Sequence, residues 1–387
     1  EAIRILKINN PNDVLLILVS FLPLQNLDSE LKTKPTQYAV KTLNSTGLQP
    51  DIILARAVMS LDKKRKEKIA FNCSMQEQDI ISAPDVESIY EVPVNFEKDG
   101  LSNRILEKLK LRPRKVNLEE WRRLALTIKK SNRPVNIGIV GKYFSTGKFI
   151  LADSYISVIE AIKHAAYYFG RKPVIKWIEA EEFINKPAQL KQLLNYDGII
   201  VPGGFGGRGT EGKIAAIGYC RKNKIPFFGL CYGMQLAVVE FSRSLAGLKK
   251  ANSTEIDPKT PYPVIDILPE QKKNLEEKKY GATMRLGAYP AALKKGTIAF
   301  EVYKKQLISE RHRHRYEVNP DFIKQLEGKG LVFSGSSPDG RLMEIMELPK
   351  TIHPFFVATQ FHPEFKSRPL DPHPLFKEFI KTAINKK

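Results

Sequence analysis

Cysteine is scarce in this chain: Cys73, Cys220 and Cys231 are the only three in 387 residues. They are too few and too scattered for a disulfide framework or a zinc site, and they fit a reducing, cytoplasmic setting. No apolar run approaches the roughly 20 residues of a membrane-spanning helix. The longest, Val14 to Leu24, is rich in Val, Ile and Leu, contains Pro23, and reads as a buried strand. A basic start leading to a small-residue cleavage site is also missing, so no secretory signal is visible. The chain opens on Glu1 rather than Met, as part of something longer would. With 24 glycines and 25 prolines it is neither collagenous nor of low complexity. There is no internal repeat, and no Gly-x-x-x-x-Gly-Lys-Ser/Thr phosphate loop.

What is present is a globular composition, 42% hydrophobic and 27% charged, and a length that predicts two or three domains at about 150 residues each. Lys and Arg number 62 against 42 Asp and Glu, a formal charge of +20. Such an excess draws polyanions: nucleic acid, anionic membrane or nucleoside triphosphates. A solvated basic surface is the plain alternative.

Along the chain, Asp51-Ile-Ile-Leu-Ala reads as a strand, followed by the charged Asp62 to Lys68 and a short apolar piece, Ile69 to Phe71. Between Glu97 and Pro134 charged residues dominate, with Pro113 and Pro134 as breakers and one amphipathic patch at Trp121, Leu124 and Ile128; a domain linker belongs there. Beyond it Val135–Val140 reads as a strand. Apolar residues at Ile159, Ile162, Ala166 and Phe169 then predict a helix ending at Gly170. Further short apolar runs at Val174–Ile178, Gly198–Val201 and Ile225–Leu230, separated by helix-length segments, predict a mostly parallel sheet covered on both faces.

The sharpest local signal is Gly229-Leu-Cys-Tyr-Gly233, between a predicted strand and the helical run Met234–Ala246. A nucleophile flanked by glycines at this junction is the form of a strand-to-helix elbow, which holds the side chain out of a tight turn. The helix N-terminus that follows favours a thiolate. A lone cysteine in an apolar stretch is usually inert core, which is how Cys73 and Cys220 read; the elbow reverses that for Cys231. A base is available in Phe361-His-Pro-Glu-Phe365: Pro363 biases His362 to extended backbone, where Glu364, two residues on, faces the same side and can orient the ring. By itself His-x-Glu is an ordinary surface pair; with the elbow it makes a Cys-His-Glu triad. Pro202-Gly-Gly-Phe-Gly-Gly207 leaves the strand ending at Val201 at the same sheet edge, and the backbone N–H groups of Gly204 and Tyr232 are suited to an oxyanion hole. Arg311 to Arg315, alternating Arg and His, reads from its residues alone as a strand with one basic face, ahead of a metal site or a nucleic-acid patch.

Six motifs then occur in one order: Gly-Gly-Phe-Gly at 203–206, Gly-Leu-Cys-Tyr-Gly-Met-Gln at 229–235, Ala-Asn-Ser-Thr-Glu at 251–255, Gly-Ala-Thr-Met-Arg-Leu-Gly at 281–287, Glu-Arg-His-Arg-His-Arg-Tyr-Glu-Val-Asn at 310–319 and Phe-His-Pro-Glu-Phe at 361–365. In these the chain resembles the CTP synthases, with a class I glutamine amidotransferase domain from Asn136 almost to the end. The resemblance assigns Cys231, His362 and Glu364 to the triad, and Gly204, Tyr232, Gly233, Met234, Gln235, Glu255 and Arg315 to glutamine binding. A guanidinium suits the carboxylate of a free amino acid and a carboxylate suits its ammonium. Tyr232 departs from the aliphatic residue usual in the family. His312 and His314 receive no role.

The first part of the chain is similar to the C-terminal part of the same family's amidoligase domain. Lys32, Thr33, Lys34, Pro35, Thr36 and Gln37 match its UTP-binding and CTP-inhibitor motif, where two lysines neutralise triphosphate oxygens. Lys68 falls on a further triphosphate-binding lysine; Pro84, Asp85 and Val86 fall on the segment that meets the adenine of ATP. The resemblance implies an α/β chain: a partial P-loop-type amidoligase domain at 1–111, a linker at 112–135, and a flavodoxin-like, mostly parallel-sheet amidotransferase domain at 136–387. It also implies use of ATP and Mg²⁺, whose principal ligands lie outside this sequence, with glutamine and UTP as substrates. GTP as activator, CTP as inhibitor and a homotetramer are further implications, and neither nucleic acid nor membrane is expected as a partner. Two rival readings are a glutaminase without ligase activity and a non-catalytic subunit of a longer synthase.

Overall fold

The computed structural model describes residues 1–387 except 26–29, 115–116, 143–144, 147–148, 151–154, 268–283 and 387. The Gly-Ala-Thr of the motif at 281–287 therefore lies outside the described residues. Contacts divide the chain into two compact units, Glu1–Lys129 and Lys130–Lys387.

In the first unit β1 (Ile17–Phe21), β2 (Ile52–Ala57) and β3 (Ile80–Pro84) form a parallel sheet in that order. Helices Lys34–Ser45 and Lys63–Asn72 make the crossovers. Strand alternation sorts the side chains: Ile53, Ala55 and Ala57 pack with Val40 and Ile69, while Ile52 and Ile81 face Leu101 on the other side. The charged stretch from Asp62 and the apolar piece after it are one helix, capped by Asp62, which accepts the Arg65 N–H at 2.8 Å. The expectation of a buried strand across Val14–Leu24 is corrected. Ile17–Phe21 and, after a break at Leu22–Pro23, Leu24 are strand, and Val19 and Phe21 are 60% and 54% exposed, because among the described residues β1 has a neighbouring strand on one side only. Helix Glu119–Lys130 lies within the stretch expected as linker, and its Trp121 indole donates to the Tyr90 carbonyl at 2.6 Å.

The second unit is built on a nine-stranded sheet: β4 (Pro134–Gly141), β5 (Lys172–Glu179), β6 (Gly198–Val201), β7 (Phe227–Leu230), β8 (Arg285–Leu293), β9 (Leu307–His314), β10 (Val332–Ser336), β11 (Met343–Glu347) and β12 (Phe356–Thr359), in the order β9-β8-β10-β11-β12-β7-β6-β4-β5. The run from β12 to β5 is parallel, and the remaining pairings are antiparallel. Both faces of the parallel part are covered, as its continuous apolar strands require. Ile199 and Phe227 pack with helices Thr210–Lys222 and Tyr232–Ser244. Their neighbours Ile200 and Phe228 pack with Ile156–Tyr168 and Pro374–Ile384. Among the described residues no helix is long and apolar enough to cross a membrane.

Candidate functional site

Cys231 follows β7 directly and caps helix Tyr232–Ser244, with φ 51° and ψ −100°. A side chain rarely adopts such backbone, at a cost of about 1–3 kcal/mol, and it persists only where the surroundings over-determine it. Here they do. The Cys231 N–H donates to the Thr359 carbonyl of β12 at 2.6 Å, while the Cys231 carbonyl accepts from Met234 and Gln235 at 3.0 and 3.2 Å. Both flanking glycines are required by space: a Cβ on Gly233 would lie 2.1 Å from the Val201 carbonyl oxygen, and one on Gly229 would lie 2.8 Å from Ala358 Cβ. The other cysteines are unlike this one. Burial pushes the thiols of Cys73 and Cys220 upward, and neither stands at a strand-to-helix turn of this kind.

His362 reaches the sulfur from the end of β12, and its Nδ1–H donates to Glu364 Oε1 at 2.7 Å. The extended backbone expected through Glu364 is not what forms. Pro363–Lys366 is one turn of 3-10 helix, and the pair meets across that turn instead of along a strand. Burial alone would depress the imidazole, but charge on Cys231 and hydrogen bonds to Cys231 and Glu364 outweigh it and raise the group to about 10. With Nδ1 committed to Glu364, Nε2 is the nitrogen left for the sulfur.

Parallel pairing of Val201 with Gly229 brings the glycine-rich loop after β6 to the same edge. Gly203 has no room for a side chain, since a Cβ there would lie 2.9 Å from His362 Cε1. The loop is held on several sides. Glu255 Oε1 accepts the Gly206 N–H at 2.8 Å, the Tyr232 hydroxyl donates to the Gly206 carbonyl at 2.7 Å, and the Lys142 ammonium donates to the Phe205 carbonyl. Burial raises the Glu255 carboxyl, and Gly206, Lys142 and Arg315 work against the rise. A cavity of about 750 Å³ opens over these groups, lined among others by Gly203, Gly204, Cys231, Gln235, Glu255, Arg315 and His362. Tyr232 is instead buried beneath the loop, with Lys213 Nζ 5.2 Å from its ring centroid; Gly233 and Met234 are buried in the helix.

Strand β9 explains the Arg-His alternation. Glu310, His312 and His314 point inward, and Arg311 and Arg313 outward. The inward groups form a buried ionic net: Arg285 to Glu317 and Glu344 at 3.0 and 2.8 Å, His312 to Glu344 at 2.7 Å, and His314 to Glu317 at 2.8 Å. This net anchors the strand whose end presents Arg315. Among the described residues no group of three His, Cys, Asp or Glu could hold a metal ion. Sequence reasoning missed Gln360, Lys142 and Lys213. Only Gln360 carried a signal, its place between the strand beside Cys231 and the His-Pro-Glu turn.

Two family descriptions match the chain: CTP synthase N-terminus over residues 1–111 and class-I glutamine amidotransferase over residues 150–382. A CTP synthase of Pelotomaculum thermopropionicum is 52% identical over 384 residues, 99% of this chain and 70% of that protein. One of Bacillus subtilis is 48% identical over 386 residues, with the same coverage. This chain belongs to the CTP synthase family. The glutaminase domain of Trypanosoma brucei CTPS with bound acivicin is 39% identical at a TM-score of 0.59, covering 65% of this chain and 95% of that one. The second unit thus has the class I glutamine amidotransferase fold, and the first is the family's N-terminal synthase region.

In the synthase unit, Thr33 stands immediately before helix Lys34–Ser45 without a side-chain capping hydrogen bond, and Pro35 is in the helix's first turn. Thr36 is buried and accepts from the Ser20 hydroxyl at 2.9 Å, while Gln37 donates to Thr33 Oγ1 at 3.1 Å. Lys32 is paired with Glu30 at 2.5 Å. Lys68, exposed on the next helix, lies within electrostatic reach of the same Glu30. Lysines and a helix N-terminus with Pro in its first turn suit phosphate oxygens. Pro84, Asp85 and Val86 line a separate hollow of about 560 Å³ with Leu54, Ile89 and Phe96, and Arg56 pairs with Asp85 at its rim at 3.2 Å. An apolar hollow with a polar rim fits a heteroaromatic base.

Proposed function

We propose that this chain hydrolyses glutamine at Cys231 and supplies the ammonia for ATP-dependent amination of UTP to CTP. The observation that carries the first half is the strained Cys231 elbow facing a histidine whose other nitrogen is held by Glu364 at 2.7 Å. The Cys231 thiolate attacks the carboxamide carbon, while backbone N–H groups of Gly204 and Tyr232 receive the developing oxyanion. His362 gives its proton to the departing ammonia, leaving a glutamyl thioester. The same imidazole then takes a proton from water, which attacks the thioester and releases glutamate. Glu364 holds the ring's tautomer and stabilises its cationic form. Glu255 takes the substrate's ammonium and Arg315 its carboxylate, with Gln235 beside the carboxamide.

In the synthase region, Lys32, Lys34 and Lys68 with the backbone from Thr33 to Gln37 receive the triphosphate of UTP, or of CTP as inhibitor. Pro84, Asp85 and Val86 receive the adenine of ATP. Magnesium, which the family uses with ATP, would screen phosphate charge; the described residues do not form a site for it. Activation by GTP and assembly into tetramers belong to the same reading, as does a cytoplasmic setting.

The test measures glutamate and CTP from glutamine, UTP, ATP and magnesium, then repeats the assay with ammonium chloride in place of glutamine. The expected result is glutamate from glutamine with this chain, and CTP from either nitrogen source in a protein that also carries the ATP and magnesium ligands lying outside this sequence. Glutamate release that survives Cys231→Ala would overturn the first half. Absence of CTP from ammonium in that protein would overturn the second.

A further inference from the structure

We propose that Gln360 is a positioning residue for the glutaminase reaction: its side-chain amide donates to the Cys231 sulfur and favours the attacking, anionic form. The proposal rests on the reading of Cys231 as nucleophile. Gln360 stands between β12, which pairs with the nucleophile's own strand, and the His362 turn. It is fully buried, and its Nε2 lies 3.8 Å from Cys231 Sγ.

A relay fixes which end of the amide meets the sulfur. Gln235 Nε2 donates to the Tyr316 carbonyl at 3.0 Å, so its second N–H is turned toward Gln360 Oε1, at 3.4 Å. With its oxygen committed there, Gln360 can only offer N–H to Cys231. Its backbone N–H is held in turn by the Glu344 carbonyl at 2.8 Å. The Arg313 carbonyl, 3.9 Å from the same sulfur, is an acceptor and suits the neutral thiol. The two contacts therefore favour opposite protonation states. The Gln360 contact becomes charge-assisted once the proton leaves.

Having no exposed surface, Gln360 does not touch substrate; its loss is expected in kcat and not in KM. The experiment follows alkylation of Cys231 by iodoacetamide, read by mass spectrometry across about pH 5 to 9, in the full chain and in Gln360→Met and Gln360→Glu. In Gln360→Met the pH midpoint is expected to rise by about one unit, and kcat for glutamate release to fall about tenfold at unchanged KM. Gln360→Glu keeps the shape but places a carboxylate on the sulfur, so its midpoint rises further. Melting curves confirm that each variant is folded, and the isosteric Glu variant decides the matter if Met is not tolerated. Midpoints equal to that of the unsubstituted chain in the folded variants overturn the role of Gln360 alone. Absence of a rapidly alkylated Cys231 in the unsubstituted chain overturns the nucleophile reading as well.

Discussion

The two units handle their polar groups in opposite ways. Around Cys231 the side chains of the candidate site are buried or half-buried, and the site is braced by second groups: His362 by Glu364, the Gly206 peptide by Glu255 and Tyr232, and the strand that leads to Arg315 by the net centred on Arg285. In the synthase unit the corresponding lysines stand at a helix end and on the solvent side of the next helix, and among the described residues Lys32 is matched by the exposed Glu30. The contrast follows the chemistry. Covalent attack requires a nucleophile, base and oxyanion donors fixed before substrate arrives, in surroundings where their charges are not screened. Triphosphate recognition requires mobile, hydrated cations that adapt to their ligand.

Four substitutions sharpen or break that contrast. The largest effect is expected for Cys231→Ala, which should lower glutamate release by about 10⁴-fold or more while ammonium-driven CTP formation stays unchanged. Equal loss of both activities, measured side by side, would show that the units are not chemically separable. Glu364→Gln should lower kcat for glutamate release on the order of 10³-fold, since the ring's tautomer is no longer specified; a fall confined to KM would contradict an orienting role. Lys32→Ala should raise the KM for UTP about tenfold by removing a charge-assisted contact, with nucleotide-free glutamate release unaffected.

The smallest effect concerns Lys213, buried beside Tyr232 with no hydrogen-bond partner for its ammonium among the described residues. Burial pushes its ammonium down to about 7, and the charge of Lys142 adds to this. Unfolded, it titrates near about 10.4, so the penalty on the folded state is complete below pH 7 and shrinks as pH rises toward that value. Lys213→Met should therefore stabilise the chain by about 1 kcal/mol at pH 6, a few degrees in Tm, with the gain fading by about pH 9. A gain that grows with pH, or a loss at pH 6, would mean that the amine has a partner in solution.

Much of the catalytic reading could be made from local pattern, because an elbow is a local device: a strand, a nucleophile between glycines, then a helix. The spacing even indicated that His362 and Glu364 would meet, although a 3-10 turn and not a strand brings them together. Burial was harder to read. Val14–Leu24 has the composition of core, yet among the described residues β1 is paired on one side only, with Val19 and Phe21 exposed. His312 and His314 had no legible role, because their partners Glu344 and Glu317 come from other strands.

The sequence by itself determined much of the alternation of strands and helices, the glycine-flanked Cys231 elbow, the pairing of His362 with Glu364, and the family, since each is written in neighbouring residues or in ordered motifs. Tertiary structure alone decided that Gln360 faces the sulfur, that Glu255 grips the glycine loop, and that Arg285 gathers two glutamates. These contacts join residues 32 to 129 positions apart. Their geometry is set by strand order and register, which no local pattern encodes.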